Sequence, residues 1–330
     1  MATDGCLGGS RRRGRRWWIT QLQIIFVLAL AATMTLAPAL GTAETRARSA
    51  AVSVSVSSRP AQGIYEYCAP QTSPDGCLKR LSRIAAGGFK VVLNYAVFHA
   101  DAAQLRAYMD RAARLGLKLI WPMQDAPWWG RGSLAALYPR LAGGCGCSDA
   151  ALGRYLIGLV KQSVATWGYY VADEQKPADA PAVAAFSGRL RALDPGHPRL
   201  AVGGGEDTVS ELLAPYASAA DVLGADSYPV GTGQSVARVT SIASKVRAVA
   251  ARSHRQTAMV LQAFDWSEYP KTGPWPAPRW PTAAEMRRMR DLAIAAAHPS
   301  LILWYSAFDI LRAPDAPAHW RALLQAAIGQ

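Results

Sequence analysis

The 330-residue chain is 51% hydrophobic and carries a formal net charge of +13, enough apolar material for one large domain with a sizeable core. Residues 1–60 hold eight arginines against two acids, a net of +6, while residues 61–330 keep 28 basic and 21 acidic residues with no dense Lys/Arg run. That balance argues against a nucleic-acid partner and suits contact with an anionic wall or polymer.

In chain order, the first expected element is an export signal over residues 1–43. Arg11, Arg12, Arg13, Arg15 and Arg16 precede an apolar run from about Trp17 to Leu40, and Gly41-Thr42-Ala43 offers a cleavage site. Arg15-Arg16 before Trp17-Trp18-Ile19 also resembles a twin-arginine signal. The apolar run is long enough to span a bilayer, roughly 20 residues. A retained anchor is therefore the alternative, and the one route to a membrane partner. Residues 44–60, small and polar, read as a linker, with an edge strand as runner-up.

Eight apolar runs rich in β-branched and aromatic residues come next. They are GIYEY (63–67), FKVVLNY (89–95), LKLIWPM (117–123), GYYVA (168–172), RLAVGG (199–204), DVLGADSY (221–228), TAMVLQAF (257–264) and LILWYSAF (301–308). Helical patterns alternate with them: Asp101 to Leu115, Ala178 to Leu193, Ser235 to Ser253, a helix capped by Thr282, and a closing helix. Eight strand-then-helix units over residues 61–330 predict an α/β fold, a (β/α)8 TIM barrel. A doubly wound sheet is the runner-up, but no glycine-rich phosphate loop follows the first strand. For the same reason no nucleotide cofactor is expected.

Four cysteines lie outside the leader: Cys68, Cys77, Cys145 and Cys147. An even number in an exported chain reads as disulfides. A Cys145–Cys147 bridge would close a very tight ring, so the expected link joins the Cys68/Cys77 loop to the Cys145/Cys147 loop. A zinc site is the alternative to disulfides, but the cysteine spacings fit no familiar zinc pattern. His99, His197, His254, His298 and His319 are scattered. No metal site is expected.

A barrel places its chemistry at the C-terminal ends of its strands. Glu66, Asn94, Asp173 with Glu174, Asp226 with Tyr228, Gln262 with Asp265, and Tyr305 all fall there. Asp101, Glu206, Asp207 and Asp309 are equally well explained as helix caps. Asp173 and Glu174 are not, because their helix begins beyond Pro177. Aromatic residues crowd the same loops: Trp121, Trp128-Trp129, Trp304, and the run WSEYPKTGPWPAPRW (266–280). Rings stack on the C–H faces of sugars while carboxylates and amides take the hydroxyls, so the combination suggests a carbohydrate cleft.

These motifs resemble those of TIM-barrel glycoside hydrolases of the broad clan A type. There a fourth-strand Asn/Asp-Glu-Pro carries the general acid/base, and Asp173-Glu174-Gln175 matches in place and order, with Gln for Pro. ADSYP (225–229) and LWYSAF (303–308) are similar to that clan as well. The seventh-strand nucleophilic Glu is not matched, since Gln262 stands near its place. The resemblance implies an enzyme that cleaves O-glycosidic bonds with two carboxyl groups, and the leader and basic surface make an extracellular poly- or oligosaccharide the expected substrate.

Glu174 is the expected general acid, its proton retained beside Asp173. Asp226 is the first choice of second carboxylate and Asp265 the second. Glu66, Asn94 and Gln262 are expected to hold hydroxyls, and Trp121, Tyr228, Trp304 and Tyr305 to line the subsite. The missing seventh-strand Glu keeps a non-catalytic carbohydrate-binding barrel as the alternative; a transglycosylase would use the same residues. No G-x-S-x-G elbow is present for serine chemistry.

Overall fold

Eight parallel strands close on themselves in sequence order in the computed structural model, which describes residues 59–205, 207–270 and 275–329. They are β1 (Ala61–Glu66), β2 (Val91–Asn94), β3 (Lys118–Pro122), β4 (Thr166–Asp173), β5 (Arg199–Gly203), β6 (Val222–Ser227), β7 (Gln256–Gln262) and β8 (Leu301–Tyr305). Pairing of Ala61 with Leu301 closes the ring. The fold is the (β/α)8 TIM barrel that the strand count predicts. The expected leader at residues 1–43, and all but the end of the linker at 44–60, lie outside the described residues. Among the described residues, no helix is long and apolar enough to cross a membrane.

Strand alternation separates two cores. Tyr65, Val91, Leu93, Ile120, Tyr170, Leu200, Val202, Val260 and Leu303 fill the barrel interior. Their strand neighbours Ile64, Val92, Leu119, Trp121, Tyr169, Ala201, Leu261 and Trp304 pack outward against the helices. At Gly63 an added Cβ would lie 2.6 Å from Leu303 Cδ2 and 2.9 Å from Val91 Cβ, so the crowded interior excludes a side chain there.

The helices start where local chemistry says they should. Asp101 and Thr282 each form a capping box, with Gln104 and Glu285, for the helices Ala102–Arg114 and Ala283–Ala297. The other proposed caps differ. Ser306, not Asp309, caps the helix Ala307–Arg312. Thr208, not Asp207, precedes Val209–Leu213. Glu206 lies outside the described residues. The long loop after β3 contains two short helices, Leu134–Leu137 and Pro139–Cys145.

The disulfides correct the expected inter-loop link. Cys68 pairs with Cys77, and Cys145 with Cys147. The first helix, Pro74–Ala86, turns back over the end of β1 and brings Cys77 to a Cα separation of 5.6 Å from Cys68. In the second pair Gly146 adopts φ 61°, a left-handed turn that brings the flanking Cα atoms to 5.2 Å. The tight ring therefore forms because its middle residue is glycine.

Candidate active site

The C-terminal end of β4 answers why two acids sit side by side. By strict alternation Asp173 would share the outward face of Tyr169 and Val171. The β4–β5 register breaks, however: Tyr170 pairs with Leu200 and Ala172 with Ala201, leaving Val171 as an extra residue. This bulge reverses the side-chain parity of the strand beyond it, so Asp173 pairs with Val202, an interior position, and turns inward. Glu174 then takes φ 51°, unusual for a residue with a side chain, while its N–H donates to the Val202 carbonyl at 2.9 Å. Together the bulge and the left-handed residue bring both carboxylates to one cleft.

That cleft has two adjoining lobes at the strand ends. The first, about 370 Å³, is lined by Tyr65, Tyr95, Asp173, Glu174, Asp226, Tyr228, Phe264, Trp266, Tyr269, Trp275 and Tyr305. The second, about 410 Å³, shares Glu174, Asp226, Tyr228, Trp266 and Trp275, and adds Gln175, Lys176, Gly204, Gly205, Thr232, Gln234 and Arg238. A larger cavity, about 660 Å³, opens among the helices around Trp128, Arg154 and Arg189, away from the strand ends, and brings no two acids together.

Tyrosines floor the first lobe. The Tyr95 hydroxyl donates to Asp173 Oδ2 at 2.8 Å and the Tyr170 hydroxyl to Oδ1 at 2.6 Å. Tyr65 donates in turn to the Tyr170 oxygen at 3.1 Å. Rings of Tyr65, Tyr95, Tyr228 and Tyr305 sit with centroids 5.2–5.8 Å apart around the floor. Burial, then the nearby acids, raise the phenols of Tyr65, Tyr95, Tyr170 and Tyr228 well above their ordinary range, so they remain donors. Trp266 and Trp275 form a wall, with centroids 4.4 Å apart.

Asp226 closes the acidic cluster from β6. It is 6% exposed and hydrogen-bonds Glu174 and the Gly205 N–H. Burial above all, then the charge of Glu174 and the hydrogen bond to it, then Asp173, push the Asp226 carboxyl well above the usual range; Gly205 opposes the shift. Asp226 is thus a buried carboxyl whose protonated form is favoured. Burial also raises Asp173, to about 6, against the pull of the two tyrosine hydrogen bonds, with Glu174 and Asp125 adding to the rise. Gly205 permits the close approach: an added Cβ would stand 2.1 Å from the Asp226 carbonyl oxygen.

Asp173, Glu174, Asp226, Tyr228 and Tyr305 thus meet in the cleft, and six other expected site residues do not. Glu66 is 1% exposed and faces the helices, where Arg80 Nη1 donates to it at 2.7 Å and the Tyr67 N–H at 2.8 Å. Asn94 holds both the N–H and the carbonyl of Cys68, at 3.0 and 2.8 Å. Trp121 and Trp304 are fully buried in the outward core, and their indole N–H groups donate to Thr166 and Gln62 at 3.0 and 2.9 Å.

Gln262 is fully buried as well. It accepts from the Val230 N–H at 2.8 Å and donates to the carbonyls of Val230 and Phe264 at 2.9 and 3.2 Å. Asp265 caps the short turn Trp266–Glu268 by accepting from the Ser267 N–H at 2.8 Å. Trp128 packs among Phe98, Tyr138 and Phe186, outside the cleft.

Tyr65, Tyr95 and Tyr170 are site residues that the sequence reading leaves out. Alternation carries the signal for them: Tyr65 is flanked in GIYEY by the outward Ile64 and Glu66, and Tyr95 follows the interior pair Val91 and Leu93. Tyr269 is a further one. Its hydroxyl donates to buried Asp309 at 2.8 Å, and Ser306 and Arg312 donate to the same carboxylate. Among the described residues no cluster of His, Cys, Asp and Glu fits a metal ion.

No known protein family matches the sequence, and no curated protein is similar to it at the sequence level. The fold does match solved structures. An endo-β-1,4-mannanase from Thermotoga petrophila aligns over 83% of this chain and 78% of its own, at 13% identity and a TM-score of 0.53. A β-galactosidase from the psychrophilic Marinomonas ef1 aligns over 81% and 58%, at 11% identity and 0.55. A family 5 glycoside hydrolase from Bacteroides vulgatus aligns over 74% and 57%, at 12% identity and 0.51. These neighbours share the TIM-barrel fold with this chain.

Proposed function

We propose that the chain is an exported glycoside hydrolase that cleaves O-glycosidic bonds of an extracellular poly- or oligosaccharide. The observation that carries this reading is the hydrogen-bonded Glu174–Asp226 pair, set in an aromatic cleft at the strand ends. One fold hosts many chemistries, so the reading rests on that pair and not on the neighbours. Its match to a clan A fourth-strand motif, and the basic-then-apolar leader, support the activity and the export in turn.

In this mechanism Asp226 holds the shared proton in the resting cleft. Glu174, the exposed member, takes that proton across their hydrogen bond and delivers it to the leaving glycosidic oxygen. Asp226 is left as the carboxylate that faces the anomeric carbon. Carboxyl groups in hydrogen-bonding contact leave no room for the intervening water that pairs about 6.5–9.5 Å apart accommodate; they lie nearer the roughly 5 Å spacing of retaining enzymes. Retention of configuration is the expected outcome. Asp173, held by Tyr95 and Tyr170, supports the developing positive charge from below.

A recognition protein without catalysis is the second reading. It is favoured by β7, where Gln262 is sealed and Asp265 serves as a cap, so that strand supplies no carboxylate to the cleft. Residues 44–330, assayed against polysaccharides and aryl glycosides beside Glu174→Gln and Asp226→Asn variants, separate the two. Sugar released by the parent and by neither variant supports the hydrolase. Glycan binding without release by any of them supports recognition alone.

A further inference from the structure

The two lobes of the cleft differ in charge. The first is walled by tyrosines and acids. The second meets it at Glu174 and Asp226 and is lined by two cations, Lys176 and Arg238, with Gln175, Thr232 and Gln234 as neutral polar groups.

The two cations are held differently. Lys176 is exposed, and among the described residues its ammonium makes no hydrogen bond or ion pair; only its carbonyl is engaged, by the Tyr216 hydroxyl at 2.5 Å. Arg238 opens the helix Arg238–Arg252, and its Nη2 donates to the Gly205 carbonyl at 3.3 Å. Gly205 is the residue whose N–H holds Asp226, so the guanidinium is fixed one residue from the acid pair. Its ionic partner among the described residues, Asp207 at 3.2 Å, is 75% exposed and is shared with Lys245 at 3.8 Å. An exposed ion pair of that kind neutralises little. Among the described residues, the lobe thus sets Lys176 and Arg238 beside the carboxyl groups of Glu174 and Asp226.

Neutral sugars need only amides, hydroxyls and carboxylates around them. A cation fixed by a backbone carbonyl and a second left without an acid suit an anionic group, which they would bind by charge-assisted hydrogen bonds. We propose that the second lobe is a subsite for an acidic sugar unit, one bearing a carboxylate, next to the bond that is cleaved. This rests on the hydrolase reading for its position relative to the scissile bond, while the charge preference stands on the lobe itself.

The test uses the Glu174→Gln form of the full chain, so that bound glycan is not consumed. Its affinity is measured for a panel of uronic-acid polysaccharides, for the same polymers after carboxyl reduction to the neutral sugars, and for a sulfated neutral glycan. Lys176→Ala and Arg238→Gln are added singly on that background. The expected result is binding to at least one uronic-acid polymer that weakens about tenfold on carboxyl reduction and about tenfold with either substitution. Preference for the sulfated glycan over every uronate would overturn the carboxylate assignment. Binding of neutral glycans alone, no binding of any acidic polymer, or an acid preference that neither substitution moves would each overturn the subsite. Release of neutral sugar by the parent, abolished in Glu174→Gln, would then leave the hydrolase standing without it. Acid-dependent binding with no release by the parent would do the reverse.

Discussion

The ends of β4 and β7 begin from similar material and finish differently. Each is an apolar strand that terminates in polar residues: Asp173 and Glu174 on β4, Gln262 and then Asp265 on β7. On β4 an extra residue and a left-handed φ turn the polar groups into the cleft, where tyrosines and Asp226 meet them. On β7 the polar groups turn to the backbone, with Gln262 bonded to Val230 and Phe264 and Asp265 to Ser267. The residue types alone do not separate a reactive rim from a structural one. The separation depends on whether nearby backbone groups satisfy the side chain or leave it to the cleft.

The largest effect that would break this comparison lies in the acid pair. Glu174→Gln and Asp226→Asn each remove a carboxyl from the shared-proton pair, and each should lower turnover by about a thousandfold or more, roughly 4 kcal/mol. Single-turnover sugar release, with folding checked by circular dichroism, measures it. A Glu174→Gln variant that keeps a tenth of parental turnover would show that the β4 rim is not the reactive one.

Gln262→Glu probes the other rim. A carboxylate there would face the carbonyls of Val230 and Phe264, which now accept from the Gln262 amide. Two acceptors cannot satisfy it, so it should cost about 2–4 kcal/mol at neutral pH and recover as the carboxyl protonates. Denaturant unfolding at two pH values reads this. If the variant instead gained hydrolytic activity at parental stability, β7 would be a dormant half of the site and not a sealed one.

The same contrast explains how much of the molecule was legible in the sequence. Apolar runs rich in β-branched and aromatic residues, and cap signals such as Thr282, specify the eight strands and the helices between them, because those patterns are local. Asp226, Tyr228 and Tyr305 were also readable, since strand ends in a barrel face one rim. Glu66, Asn94, Trp121 and Trp304 were misplaced for want of parity: each shares its face with an outward residue, Ile64, Val92, Leu119 or Ile302. Parity alone would have misplaced Asp173 too, because the β4 bulge that reverses it depends on register against β5 and leaves no mark in the β4 residues themselves. Ring size alone argues against the Cys145–Cys147 pair, and the left-handed turn that Gly146 allows overrides it.

Asp173→Asn gives a smaller effect with a defined sign. The folded-state carboxyl is raised to about 6 from 3.8, so between those values the native state binds the proton more tightly than the unfolded chain does. Stability from this group is complete below the unfolded value and is lost as pH rises through about 6. The total change across that window amounts to about 2 kcal/mol once partial exposure is allowed for. Asparagine does not titrate there, so the difference in unfolding free energy between parent and variant should vary across pH 4 to 6.5 and flatten beyond. A difference that stays constant over that interval would mean that the tyrosine hydrogen bonds offset burial, and that Asp173 is an ordinary carboxylate.

The smallest effect belongs to Asp265→Ala. This side chain caps one turn, and losing its single bond to the Ser267 N–H should cost about 1 kcal/mol. The turn carries Trp266, which packs on Trp275 over the cleft. Loosening it should weaken substrate binding more than it slows the chemical step, so KM should rise severalfold while kcat holds within about twofold. A kcat that fell with KM unchanged would make Asp265 part of the chemistry. It would also return β7 to the reactive rim, since a carboxylate that matters only in the transition state cannot be explained as a cap.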